Sequence, residues 1–199
     1  MSAPVDAVIL AAGLSTRMDQ PKPLLEVGDT TFLERAIRTL KEGGCRYVVA
    51  VVNGHDDWVQ RLADATGAAI VVNEDPESEQ IASLRLGMPA LPDDWGAVAV
   101  LPVDVPLVSA DTVRSLVKAF LQHGAPITLP FHNGVAGHPV LLGRVLADDV
   151  LTGAWDEGVR SIIMAHAHDL REVKVMDPGI LIDVDTPEDY WRYVKDRNR

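Results

Sequence analysis

The chain has 199 residues, 47% hydrophobic and 24% charged, and its 18 Lys plus Arg against 29 Asp plus Glu give a formal net charge of −11. This suits one globular domain and excludes disordered, collagenous and fibrous chains. So acidic a surface speaks against a nucleic-acid or membrane partner, and the single cysteine, Cys45, excludes a disulfide framework. No apolar stretch approaches the roughly 18–20 residues of a membrane span. No basic patch precedes the first apolar run either, so a cytoplasmic location is expected.

Taken in chain order, Val5 to Ala12 is a near-continuous apolar run closed by Gly13, the pattern of a strand buried on both faces. The next stretch, Thr31 to Glu42, sets Phe32, Ala36, Ile37 and Leu40 on one helical face and Glu34, Arg35, Arg38 and Lys41 on the other. Strands are predicted over Tyr47 to Val52, Ala68 to Val72 and Ala97 to Val103, with weaker helices over Asp57 to Ala65 and Ala82 to Leu91. Ser109 caps a helix that Gly124 stops near Gln122. Beyond it the spacing predicts a strand over Ile127 to Phe131, a Gly-rich turn over His132 to Gly137 and a helix over Asp156 to Ala167. Short strands over Val173 to Met176 and Ile180 to Val184 follow. Thr186-Pro187-Glu188-Asp189 then opens a last helix with an N-cap, a proline at the first turn and acidic residues. Strand–helix alternation over the first 105 residues predicts βαβ units and a mostly parallel sheet covered on both faces.

The loop after the first strand carries the strongest chemical signal: Leu10, Ala11, Ala12 and Gly13, then Arg17, then Lys22 between Pro21 and Pro23. Ligands of parallel sheets sit beyond the carboxyl ends of the strands. Small residues there admit a ligand to the backbone, whose N–H groups cradle phosphate oxygens. Two cations on that loop, with flanking prolines limiting where Lys22 points, suit a phosphate tail. Asp104 follows the strand ending at Val103 and points to the same end of the sheet. Asp183 and Asp185, two apart in an extended segment, share a face. A hard cation such as Mg²⁺ takes one or two carboxylates plus substrate phosphates, which Asp104 and Asp185 could supply.

The string from Leu10 through Leu25 resembles the signature of the MobA-like nucleotidyltransferases, with the molybdenum cofactor cytidylyltransferases nearest. The likeness continues through Gln80-x-x-Ser83-Leu84, Pro102-Val103-Asp104, Gly137-His138-Pro139 and Asp183-x-Asp185-Thr186-Pro187. It implies a Rossmann-like, three-layer α/β domain over residues 1–199. Residues 1–105 would bind the nucleotide, and 106–199 the acceptor and a C-terminal helix. The implied reaction moves CMP from CTP to the terminal phosphate of molybdopterin, with Mg²⁺ as cofactor and pyrophosphate released.

By the same resemblance Leu10 to Gly13 contact base and ribose, Arg17 and Lys22 hold the triphosphate, and Asn53 and Ser83 touch the nucleotide. Asp104 and Asp185 ligate the metal, and His138 lies beside the acceptor. Ala12, where guanylyl members carry glycine, leans toward CTP. A molybdoenzyme would receive the product. GTP as donor, a sugar or alditol phosphate as acceptor, and a non-catalytic cofactor chaperone are the alternatives. His138 also reads as a hairpin histidine packed on Pro139, and Asp185 as a residue preceding the Thr186 cap.

No protein general base is expected, because a phosphate monoester with a second pKa near ~6 is already mostly ionised at neutral pH. Two departures from the family pattern, Asp19 and Glu79 in place of glycines, are expected to set carboxylates near the triphosphate.

Overall fold

In the computed structural model, which describes residues 3–18, 20–54, 59, 61, 66–75, 77–155 and 158–196, the run VDAVILA becomes strand β1 (Val5–Ala11), buried at every position. Its two faces feed two separate cores. Ala7, Ile9 and Ala11 pack with α1 (Phe32–Glu42) on one side, and Val8 and Leu10 pack with α2 (Gln80–Gly87) on the other. Asp6, fully buried in this run, is satisfied by Arg46 Nε (3.0 Å) and Nη2 (2.7 Å) and by the Tyr47 N–H. Burial places the lone Cys45 in the first core and pushes its thiol up to about 12, with nearby Asp6 adding to the shift.

The remaining strands are β2 (Glu26–Val27), β3 (Thr30–Thr31), β4 (Val48–Asn53), β5 (Ala69–Asn73), β6 (Ala97–Pro102), β7 (Ile127–His132), β8 (Val135–Ala136), β9 (Val140–Gly143) and β10 (Leu170–Lys174). The main sheet runs β10-β7-β9-β6-β1-β4-β5, with β8 on β7. Parallel pairs join β6, β1, β4 and β5, and also β10 and β7; β8 and β9 run against them. The expected mostly parallel α/β sheet is therefore present, in helix–sheet–helix layers. The first core is closed by α1 and α3 (Ala110–His123), the second by α2, α4 (Ala147–Thr152) and α5 (Val159–Ala165).

The local signals explain the boundaries. Thr31 and Glu34 form a reciprocal capping box at α1, Ser109 caps α3, and Gly124 ends α3 in the left-handed region at φ 61°. Thr186 and Asp189 form a second capping box at α6 (Pro187–Tyr190). Asn133-Gly134, both at positive φ, close the β7–β8 hairpin inside the expected Gly-rich turn.

Several boundaries differ from expectation. The predicted strand over Ile180 to Val184 is not a strand: Pro178–Leu181 is a 3₁₀ turn. Asp177 caps that turn, and a cap and a proline favour a turn over a sheet ladder. The strand predicted at Val173 to Met176 lies earlier, at Leu170–Lys174. The helix from Asp156 begins at Val159, after Gly158 at positive φ, and Asp156 lies outside the described residues. So does most of the helix predicted over Asp57 to Ala65, and Asp19 likewise.

Candidate active site

The carboxyl ends of β1, β4, β5 and β6 open on one rim, and there the chain between Ala11 and β2 bends back over the sheet. The bend is built locally. Ser15 sits at φ 52°, its carbonyl accepts the Met18 N–H (2.8 Å), and its hydroxyl accepts the Lys22 N–H (2.9 Å). A 3₁₀ turn at Lys22–Leu24, entered through Pro21, then fixes the direction of the Lys22 side chain.

Lys22 Nζ lies 3.0 Å from Asp104 Oδ2 and 2.5 Å from Asp185 Oδ1, although the two carboxylates come from positions 82 and 163 residues further along the chain. Burial alone would lower the pKa of this ammonium. The two carboxylates outweigh that, and Lys22 is held above its ordinary value. Asp104 is brought in just past the end of β6, where the Val103 N–H bonds the Leu10 carbonyl (3.1 Å). Asp185 is brought in by a backbone bond from the Val184 N–H to the Asp104 carbonyl (2.8 Å) and by the α6 cap that follows it.

These groups line a cleft of about 170 Å³ together with Ala12, Gly13 and Arg17. Arg17 is exposed and has no hydrogen-bond partner among the described residues, so its guanidinium is available to a ligand. Ser83 lines the floor, almost wholly buried, and its hydroxyl oxygen accepts from Asn73 Nδ2 (3.0 Å).

The structure therefore gathers Leu10, Ala11, Ala12, Gly13, Arg17, Lys22, Ser83, Asp104 and Asp185 at one opening. Asn53 does not line it. Asn53 ends β4 in register with Asn73 of β5, and Asn73 is the asparagine that lines the cleft. Asn73 is one residue beyond the apolar run Ala68 to Val72, so a strand-terminal polar residue was the available signal. Ser15, which holds the Lys22 backbone, was missed as well; no periodicity marks a loop hydroxyl that bonds seven residues on.

A second, larger cavity of about 950 Å³ adjoins the first and is bounded by Leu129, Val140, Ile163, Ile180, His138 and Asp183. Gln80, at the start of α2, lines both. His138 donates its backbone N–H to the Ile180 carbonyl (3.0 Å), and its Nδ1 is buried without a partner among the described residues. Burial draws the ring's pKa down, with Asp104 opposing. Asp183 is held above the ordinary carboxylate range by partial desolvation and by the charges of Asp104 and Asp185, against the pull of Lys22. Asp183 and Asp185, expected on one face, line the two cavities one each. Glu79 differs from expectation. It lines the larger cavity and not the cleft with the two cations, although its neighbours Ser78 and Gln80 both line that cleft.

The donor set suits a hard divalent cation. Asp104 and Asp185 both reach a single ammonium, and their combined charge exceeds that of Lys22. Among the described residues no group of three His, Cys, Asp or Glu side chains is placed to hold a metal alone, so substrate oxygens would complete any coordination shell.

Comparison with known proteins shows which family the chain resembles. The model of the MobA-like NTP transferase domain matches residues 7–170. The molybdenum cofactor cytidylyltransferase of Escherichia coli (strain K12) is 27% identical over 190 residues, 96% of this chain and 95% of that one. The bifunctional protein GlmU of Clavibacter sepedonicus is 40% identical over 136 residues, 64% of this chain and 27% of that protein. Among solved structures, Rv0371c from Mycobacterium tuberculosis H37Rv superposes with a TM-score of 0.83 at 27% identity, covering 96% of this chain and 98% of that one. The same protein in complex with manganese gives 0.79 at 25% identity, covering 98% and 100%.

Proposed function

We infer that this chain, which belongs to the MobA-like NTP transferase family, transfers CMP from CTP to the terminal phosphate of molybdopterin, with Mg²⁺ as its metal. The observation that carries this reading is Lys22 clasped between Asp104 and Asp185 in a cleft that Arg17 and the Gly13 loop also line. A polyphosphate bound with a divalent ion would give two cations and two carboxylates at one opening a common task.

Leu10 to Gly13 offer small side chains and backbone groups against the base and ribose. Arg17 and Lys22 draw the β- and γ-phosphates, and charge building on the leaving pyrophosphate falls on them. Asp104 and Asp185 would hold the metal, which would supply Lewis-acid stabilisation of the charge on the transferring and leaving phosphates. The acceptor's phosphate oxygen forms the new bond to the α-phosphorus as the α–β bridge breaks. That oxygen arrives ionised, so no side chain need take a proton.

The manganese complex of the relative supports a divalent ion, and the cytidylyltransferase relative and Ala12 support CTP. The adjoining larger cavity supports an acceptor-binding second half, with His138 on its wall. Among the described residues no helix is long and apolar enough to cross a membrane. A cytoplasmic setting, with a molybdoenzyme receiving the product, belongs to the same proposal.

The test is pyrophosphate release by the purified chain with molybdopterin, Mg²⁺ and each of the four NTPs in turn. CTP should be used fastest, and Asp104→Asn should lower turnover by about 10²-fold or more, the scale of losing one preorganised electrostatic group. No release with any NTP overturns the enzymatic reading, and faster release with GTP overturns the choice of base.

A further inference from the structure

The larger cavity has an electrostatic character opposite to what a phosphorylated acceptor demands along its whole length. Its walls are mainly aliphatic, from Leu129, Val140, Ile163 and Ile180. Its charged groups among the described residues are Glu79, Asp183 and Arg160, so carboxylates outnumber cations there. The phosphate end of an acceptor must therefore lie toward Lys22 and Arg17 in the neighbouring cleft, and the rest of it faces acid and hydrocarbon.

Of the two carboxylates on its wall, Asp183 sits among the charges of Asp104, Asp185 and Lys22, which leaves Glu79 to read that remainder. It occupies the N-cap of α2, yet its side chain caps no backbone N–H, whereas Thr31, Ser109 and Thr186 all do so at their own helices. Glutamate is also not among the residues that favour this position for capping. The Glu79 carboxylate has no hydrogen bond or ion pair among the described residues.

We propose that Glu79 is a specificity-determining residue for the acceptor: its carboxylate accepts hydrogen bonds from the N–H edge of a flat, amino-bearing heterocycle packed between the aliphatic walls. Two carboxylate oxygens match two adjacent N–H donors, and a planar ring tolerates hydrocarbon on both faces. A polyhydroxy sugar would leave most of its hydroxyls against Leu129, Val140 and Ile163 without partners. The inference rests on the reading of this cavity as the acceptor site of a nucleotidyl transfer. It adds which part of the acceptor is recognised and by what.

Two measurements test it, on wild type, Glu79→Gln and Glu79→Ala. Glu79 is exposed and its side chain bonds nothing among the described residues, so both variants should fold. In steady-state transfer, the acceptor KM should rise about 10- to 100-fold in Glu79→Ala, the loss expected for a charge-assisted hydrogen bond, while the CTP KM moves less than about twofold. In equilibrium binding without CTP, 6-hydroxymethylpterin, which has the amino edge and no phosphate, should bind wild type and be lost in Glu79→Ala. Xylitol, a polyol without that edge, should not bind. An unchanged acceptor KM, or pterin binding that survives Glu79→Ala, overturns the proposal. If wild type transfers nothing to molybdopterin, the acceptor assignment fails; loss of pterin binding in Glu79→Ala then still upholds the role of Glu79, and absence of pterin binding to wild type overturns it.

Discussion

Replacing Lys22 by methionine removes one positive charge while keeping most of the side chain's bulk, and the consequence follows from its two contacts. At 3.0 Å a unit charge pair is worth roughly 5–6 kcal/mol gross at an effective dielectric constant near 20. Much of that is returned as hydration once the contacts are broken, because Asp104 is 21% and Asp185 43% exposed. The folded state therefore loses little, and the melting temperature should shift by no more than a few degrees. Turnover is different. With substrate bound, the ammonium faces charge developing on the leaving pyrophosphate, and a preorganised group of this kind is typically worth about 2.7–4 kcal/mol in the transition state. Lys22→Met should thus lower kcat/KM for CTP by about 10²- to 10³-fold in a pyrophosphate-release assay. Because Asp104 and Asp185 hold the ammonium above its ordinary pKa, no loss of activity from Lys22 deprotonation should be seen between about pH 6 and 9 in wild type. Retention of more than about a tenth of the wild-type kcat/KM by Lys22→Met would refute the argument.

Two further substitutions probe the scaffold that carries Asp183 and Asp185. A Cβ at Gly137 would collide with the Ile180 carbonyl oxygen, so Gly137→Ala must push the Pro178–Leu181 turn away. A destabilisation of about 1–3 kcal/mol in urea unfolding is expected, with a raised acceptor KM; an unchanged KM would mean that the contact does not position the site. Asp177 accepts from the Ser109 N–H (2.9 Å), the Thr112 hydroxyl (2.7 Å) and the Gly179 N–H (2.9 Å). Burial would raise its pKa, but these bonds hold it below the ordinary 3.8. Its stabilisation is complete above that value and is lost as pH falls from there through the lower folded-state pKa. Asp177→Ala should therefore cost roughly 1–3 kcal/mol at neutral pH and flatten the fall in stability below about pH 4. Parallel stability–pH curves for variant and wild type would contradict it.

The sequence by itself determined what depends on near neighbours in the chain. The continuous run at Val5 to Ala11, the capping residues Thr31, Ser109 and Thr186, the stop at Gly124 and the basic loop with Arg17 and Lys22 were all legible. Helix and strand periods, caps and positive-φ glycines are local physics. Only the tertiary structure decided that Lys22 bridges Asp104 and Asp185, that Asn73 takes the place at the cleft where Asn53 was expected, and that Ile180 to Val184 is led by a turn. The same holds for Glu79, which lies between two residues of the cleft in sequence yet lines the adjoining cavity. Each of these depends on which strands adjoin and where a helix starts against the rim. Strand order is set by burial summed over the whole sheet, and a single segment's hydrophobic pattern carries no record of its neighbours.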